Sequence, residues 1–140
     1  MDFLREFNRI MVEQGEIALA TCVDNIPNVR IVNFYYDTRK KGVVYFLTFG
    51  DNPKVGEFSK NNTVAFTTVP TKGNEHVRVT EAIIQKSNLT IYDLKDEFGK
   101  KIPDYEMTIE QVGSQLALYE IHFREAMVTL DFTHYGNITL

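Results

Sequence analysis

A mainly β, antiparallel split barrel with peripheral helices (α+β) is the fold this chain predicts. Three observations carry that expectation. Short runs of apolar and β-branched residues recur between turn signals, many of them alternating in polarity. The connections between the runs are short, which suits antiparallel neighbours rather than parallel strands with crossover helices. Helical periodicity is confined to the N-terminus and a few brief later segments, so helices are left to pack at the ends of a barrel. With 140 residues, 44% of them hydrophobic, there is material for one core and not comfortably for two, so residues 1–140 are expected to form a single domain.

The elements follow in order. Phe3, Leu4, Phe7, Ile10 and Met11 fall at helical spacing behind an Asp2 cap, and Gly15 stands where the helix should stop, giving an amphipathic lid. The period then changes. Ile17 to Val23 is a strand, Asp24-Asn25-Ile26-Pro27 a turn and Asn28 to Tyr36 the second arm of a hairpin. After a charged turn from Asp37 to Gly42, Val43 to Thr48 is nearly continuously apolar, so something besides its own core must cover it. Asn52-Pro53-Lys54 opens a helix that runs to about Lys60 and turns Val55 and Phe58 inward. Strands are expected over Thr63–Val69 and His76–Gln85, joined by a turn from Pro70 to Asn74. Ile91, Leu94 and Phe98 mark a helix ended by Gly99 and Pro103, and Thr108-Ile109-Glu110-Gln111 matches the capping box of another, closed by Gly113. Leu116–Phe123 and Glu125–Phe132 complete seven strands, the last pointing Ala126, Val128, Leu130 and Phe132 to one face.

Composition narrows the function. The net charge is −4, and the basic clusters Arg39-Lys40-Lys41 and Lys100-Lys101 read as solvated turns, which argues against a nucleic-acid surface. The first residues are charged throughout, with no signal-peptide core, and no apolar run approaches membrane-spanning length; a cytoplasmic location is expected. The single cysteine, Cys22, reads as a small buried hydrophobe. His76, His122 and His134 are scattered without ligand spacing, so no metal site is expected. No Ser-His-Asp or Cys-His set, phosphate loop or paired-carboxylate motif stands out, and no catalytic side chain is assigned. Any catalysis would belong to a bound cofactor.

One stretch does point to a ligand. Lys54 falls in the first turn of a helix, where the backbone already carries partial positive charge, so a lysine there is unfavourable unless an anion sits against it. Arg30, on the strand from Asn28 to Tyr36, offers a planar fork, and Thr48 and Asn52 offer neutral hydrogen bonds. Together these four could hold a phosphorylated cofactor at the helix N-terminus. On spacing alone the ordinary reading of Arg30 and Lys54, as surface ion-pair partners, stays open.

The arrangement Asn28-Val29-Arg30-Ile31-Val32-Asn33-Phe34, then Tyr45-Phe46-Leu47-Thr48, then Asn52-Pro53-Lys54-Val55 resembles the FMN-binding split-barrel family typified by pyridoxamine 5'-phosphate oxidase and general-stress flavoproteins. Ala18-Leu19-Ala20-Thr21, Asn61 to Phe66 and Ala126 to Leu130 extend the likeness. The resemblance implies FMN as cofactor, flavin-dependent oxidoreduction of an unknown small molecule, and a homodimer with flavin at the subunit boundary. That boundary would also cover both faces of Val43 to Leu47. It implies flavin contacts from Arg30, Ile31, Val32, Asn33, Leu47 and Thr48, phosphate contacts from Lys54 with Asn52 beside it, and a polar contact from His76. Two departures stand out. The family's R-x-x-G-x-A pattern becomes Arg78-Val79-Thr80-Glu81-Ala82, with glutamate in place of glycine. A basic tail expected of a true pyridoxamine-phosphate oxidase is not seen after the last strand, so vitamin B6 chemistry is not the first expectation. Substrate specificity is expected from Gln85 to Ser114. The alternatives are a non-catalytic module that stores or senses flavin or haem, with His134 the candidate axial ligand, and a degenerate pocket on a protein that only dimerises.

Overall fold

The computed structural model describes residues 1–50 and 52–140, with the side chain of Pro53 outside the described part. Helix α1 (Phe3–Glu13) starts on the expected cap: the Asp2 carboxylate accepts from the Arg5 backbone N–H at 3.1 Å. Strands β1 (Glu16–Val23) and β2 (Ile26–Tyr36) form the expected hairpin, through a tighter turn than the four residues predicted. Asp24 and Asn25 make it alone, at φ +53° and +64°, and Val23 already pairs with Ile26. Two left-handed central residues match the twist of the flanking strands, which is why Ile26 and Pro27 belong to β2.

Next come β3 (Val43–Phe49), α2 (Pro53–Lys60), β4 (Thr63–Thr68), β5 (His76–Lys86), α3 (Lys95–Lys101) and α4 (Tyr105–Val112). A 3₁₀ turn over Gly113–Gln115 leads to β6 (Leu116–His122), β7 (Glu125–Thr129) and β8 (Tyr135–Thr139). Among the described residues there are thus eight strands, not seven. Six close on themselves in the order β4-β1-β2-β3-β6-β5, sealed by pairing of β5 with β4, and β7 and β8 extend from β5. All pairings are antiparallel.

The split lies in β5. Along one edge β5 follows β4, but its other edge is shared: His76–Arg78 pair with β7 and Ile83–Lys86 with β6. Between them the register with β4 shifts by one extra residue, and Glu81 there is left-handed at φ +54°. A bulge of this kind bends a strand so that it can serve two neighbours. The barrel interior is filled by residues such as Ile17, Leu19, Phe34, Phe46, Phe66, Val79 and Ile121. Phe7, Ile10 and Met11 of α1 enter the same core, with Phe7 edge-on to Tyr36 at 5.5 Å between ring centres, and Phe58 of α2 enters against Phe46 and Tyr119.

Three expectations are corrected. The outer face of β3 does not need a partner subunit to cover it. Tyr45, with Val43 and Leu47, packs in a second core with Ile91, Phe98, Tyr105, Ile109 and Leu118, so the chain's own α3–α4 segment is the cover. Phe132 is 94% exposed, because β7 ends at Thr129 and the chain turns back into β8. Thr108 does not cap a helix: α4 already begins at Tyr105, and the Thr108 hydroxyl donates to the Asp104 carbonyl one turn back.

Candidate functional site

Side-chain alternation along β2 decides what faces where. Val32, Phe34 and Tyr36 are buried on the inner face, while Val29, Ile31 and Asn33 are exposed on the outer one. Arg30 shares the inner parity but lies near the hairpin end, where α2 crosses. Its Nη1 donates to the Thr21 hydroxyl at 2.9 Å and to the Leu19 carbonyl at 3.3 Å, and its Nη2 donates to the Glu57 carboxylate from α2. Asn28, Arg30, Asn52, Lys54 and Glu57 together line a cavity of about 280 Å³ between β2 and α2.

Helix α2 brings Lys54 there by its own cap. The Asn52 side-chain oxygen accepts from the Lys54 backbone N–H at 3.0 Å, so that oxygen is spent on the helix and the amide nitrogen is the donor left to Asn52. Burial, and secondarily the charge of Arg30, push the Lys54 ammonium below its ordinary range, while Glu57 acts the other way. Among the described residues no acidic side chain forms an ion pair with it. A cation depressed in this way gains from an incoming anion. Burial pushes the Glu57 carboxyl up, but hydrogen bonds from Asn28, Thr21 and Arg30, with the Arg30 charge, hold it below the usual range.

The expected site residues therefore separate. Arg30, Asn52 and Lys54 meet at one cavity. Thr48 is buried on the inner face of β3, and its hydroxyl finds no hydrogen-bond partner among the described residues. Val32 belongs to the barrel core and Leu47 to the second core, whereas Ile31 and Asn33 lie on the exposed outer face of β2. His76 sits at the start of β5, its Nδ1 2.7 Å from the Asn74 carbonyl, and does not line this cavity. His134, the candidate haem ligand, stands in the β7–β8 turn with its Nδ1 against the Asp131 carboxylate at 2.9 and 3.0 Å. Sequence reasoning missed Thr21, Asn28 and Glu57. For Glu57 there was a signal: it falls three residues after Lys54, hence on the same helix face.

The donor set suits a phosphate monoester. Two cations beside the positive end of the α2 dipole are chemistry that such an anion would use, with the Glu57 carboxylate as the one discordant group.

A six-stranded antiparallel barrel split at β5, with helices packed around it, defines the split barrel as the class of fold. The family model described as pyridoxamine 5'-phosphate oxidase-like matches residues 10–135, and the chain belongs to that family. Among solved structures it is similar to General Stress Protein 26 from Bacillus anthracis, at 15% identity over 100% of both chains with a TM-score of 0.69. It is also similar to an FAD-binding protein from Mesorhizobium loti, at 13% identity over 96% of this chain and 91% of that one with a TM-score of 0.64. A heme binding protein from Mycobacterium smegmatis matches at 8% identity over 93% of this chain and 55% of that one, with a TM-score of 0.65. At such identities the likeness is one of fold. No curated protein matches the chain significantly in sequence.

Proposed function

We propose that the chain binds FMN, with its phosphate in the cavity between β2 and α2, and acts as a flavin-dependent oxidoreductase on a small molecule not identified by its residues. The observation that carries this is the convergence of Arg30, Asn52 and Lys54 on one cavity, in a family whose model spans most of the chain. Lys54 supplies a point charge at the positive end of the α2 dipole, and Asn52 supplies the N–H groups of its side-chain amide, its oxygen being spent on the cap. Bound FMN would supply the redox chemistry; the chain's own residues bind and orient it. The reading includes a cytoplasmic homodimer, its subunit contact supported by the exposed apolar residues on the outer face of β2.

The test is a visible spectrum of the purified protein. Oxidised-flavin bands, with FMN released on denaturation, are expected; a Soret band would move the assignment to haem, and a colourless protein that ignores added FMN would end it. Turnover with a reduced nicotinamide nucleotide separates an enzyme from a carrier. Lys54→Ala should weaken FMN binding by roughly 1.5–3 kcal/mol, the worth of a charge-assisted hydrogen bond, and leave riboflavin binding unchanged. An unaltered FMN affinity refutes the phosphate assignment.

A further inference from the structure

Glu57 is the acidic residue in a cavity otherwise built for an anion. It stands three residues after Lys54 on α2, and donors from β1 and β2 converge on its carboxylate. Arg30 and the Thr21 hydroxyl, at 3.2 Å, bond one oxygen; the Asn28 amide, at 3.3 Å, bonds the other. That is the set of donors a small oxyanion would use. Arg30 also spends its second terminal nitrogen on Thr21 and Leu19, so its fork has little left to offer while Glu57 stays in place.

We propose that Glu57 is a built-in competitor for phosphate: it occupies the Arg30–Thr21–Asn28 donor set, and a phosphorylated ligand gains those donors only by displacing the Glu57 side chain. Two features make the exchange feasible. The Glu57 side chain is 25% exposed and projects from a surface helix, so a rotamer change returns its carboxylate to water. Lys54, without an ion pair among the described residues, can meet the incoming anion before Arg30 is released. Paired with Arg30, the same carboxylate prevents the cost of leaving a partly buried guanidinium unpaired. Glu57 thereby sets the preference for phosphorylated over unphosphorylated ligands. The inference rests on the anion-site reading above, though not on the ligand being a flavin.

Glu57→Gln keeps the shape and one acceptor but removes the charge. Its affinities for FMN and riboflavin should be compared with wild type by titration, alongside the thermal stabilisation that inorganic phosphate gives each protein. The expected result is FMN binding tighter by about tenfold, roughly 1.4 kcal/mol, with riboflavin unchanged and a larger phosphate-induced rise in Tm. Adding Lys54→Ala should cancel the gain. Equal or weaker binding of FMN and phosphate by Glu57→Gln overturns the proposal and leaves the flavin reading intact. A phosphate gain with no FMN binding by either protein does the reverse. Should Glu57→Gln fold poorly, Glu57→Asp, one methylene shorter, withdraws the carboxylate from Arg30 and should show a smaller gain of the same sign; no gain there overturns the proposal equally.

Discussion

Glu81 holds a backbone conformation that residues with a Cβ rarely adopt, in the middle of the strand that splits the barrel. The left-handed region costs such a residue roughly 1–2 kcal/mol, and the family's glycine at this position would avoid it. The bulge is built here on a residue that carries a Cβ. Glycine has more freedom to lose on folding, which offsets roughly 0.5–1 kcal/mol of the benefit. Glu81→Gly should therefore stabilise the fold by about 0.5–1 kcal/mol, measured by urea unfolding, whereas Glu81→Ala, which retains a Cβ, should bring no such gain. Equal stabilities for the glycine and alanine variants would show that the bulge is unstrained. Gly42 is the complementary case. At φ +79°, with the Phe123 carbonyl where a Cβ would sit, glycine stands where the turn into β3 requires it.

At the scale of elements, α1 ends without a basic residue in its last turn, and α3 supplies one from elsewhere in the chain. The Lys101 ammonium donates to the Met11 carbonyl at 3.0 Å and lies 3.9 Å from the centre of the Phe34 ring. Its charge thus sits against the negative end of the α1 dipole. Burial nevertheless pushes its pKa down from 10.5 to about 8. A folded-state value below the unfolded one means that between these limits the unfolded chain holds a proton the folded chain has released, so this group adds stability as pH rises from about 8 to 10.5. Urea unfolding of wild type and Lys101→Met across that range should show their stability difference moving in favour of wild type; a flat difference would show that Lys101 titrates normally. Lys101 was visible in the sequence only as a basic cluster, because its partner carbonyl lies in another helix. The same limit separates what else was legible. The hairpin β1–β2, the cap of α2 and the inward Phe58 follow from local turn and periodicity signals. Strand β8 does not: Gly136 and Asn137 are poor strand formers, and glycine is there because the Phe3 ring packs 2.7 Å from where its Cβ would be. The cover over β3 and the Arg30–Glu57 pair likewise depend on where distant helices dock. The cations of the site were therefore readable, and the spacing put Glu57 on the helix face of Lys54, but its pairing with Arg30 was not readable.

At the scale of the whole molecule, the two large faces of the barrel wall are treated differently. The wall at β3 and β6 is roofed by α3 and α4, whereas the outer face of β2 leaves Val29 63% and Ile31 54% exposed. Pairing sets these beside small residues: Ile31 opposite Ala18, Val29 opposite Ala20, and Ala20 opposite Ala65 of β4. A flat apolar strip with few bulky neighbours suits close approach of another sheet, and a second copy presenting the same strip would bury both through an isologous contact. The homodimer proposed here places its boundary on this face rather than on β3. Ile31→Asp would put a charge at the middle of that contact, and the variant should sediment as a monomer with its unfolding transition preserved. A dimeric variant would move the boundary elsewhere, and a monomeric wild type would remove it. The same variant connects the assembly to the site. Successive residues of a strand point to opposite faces, so Arg30 turns toward the cavity between β2 and α2 while Ile31 turns out toward the proposed second subunit. If flavin bridges the two, Ile31→Asp should weaken FMN binding as the dimer dissociates, although Ile31 lines no part of the cavity between β2 and α2. An FMN affinity independent of oligomeric state would place the whole ligand within one chain.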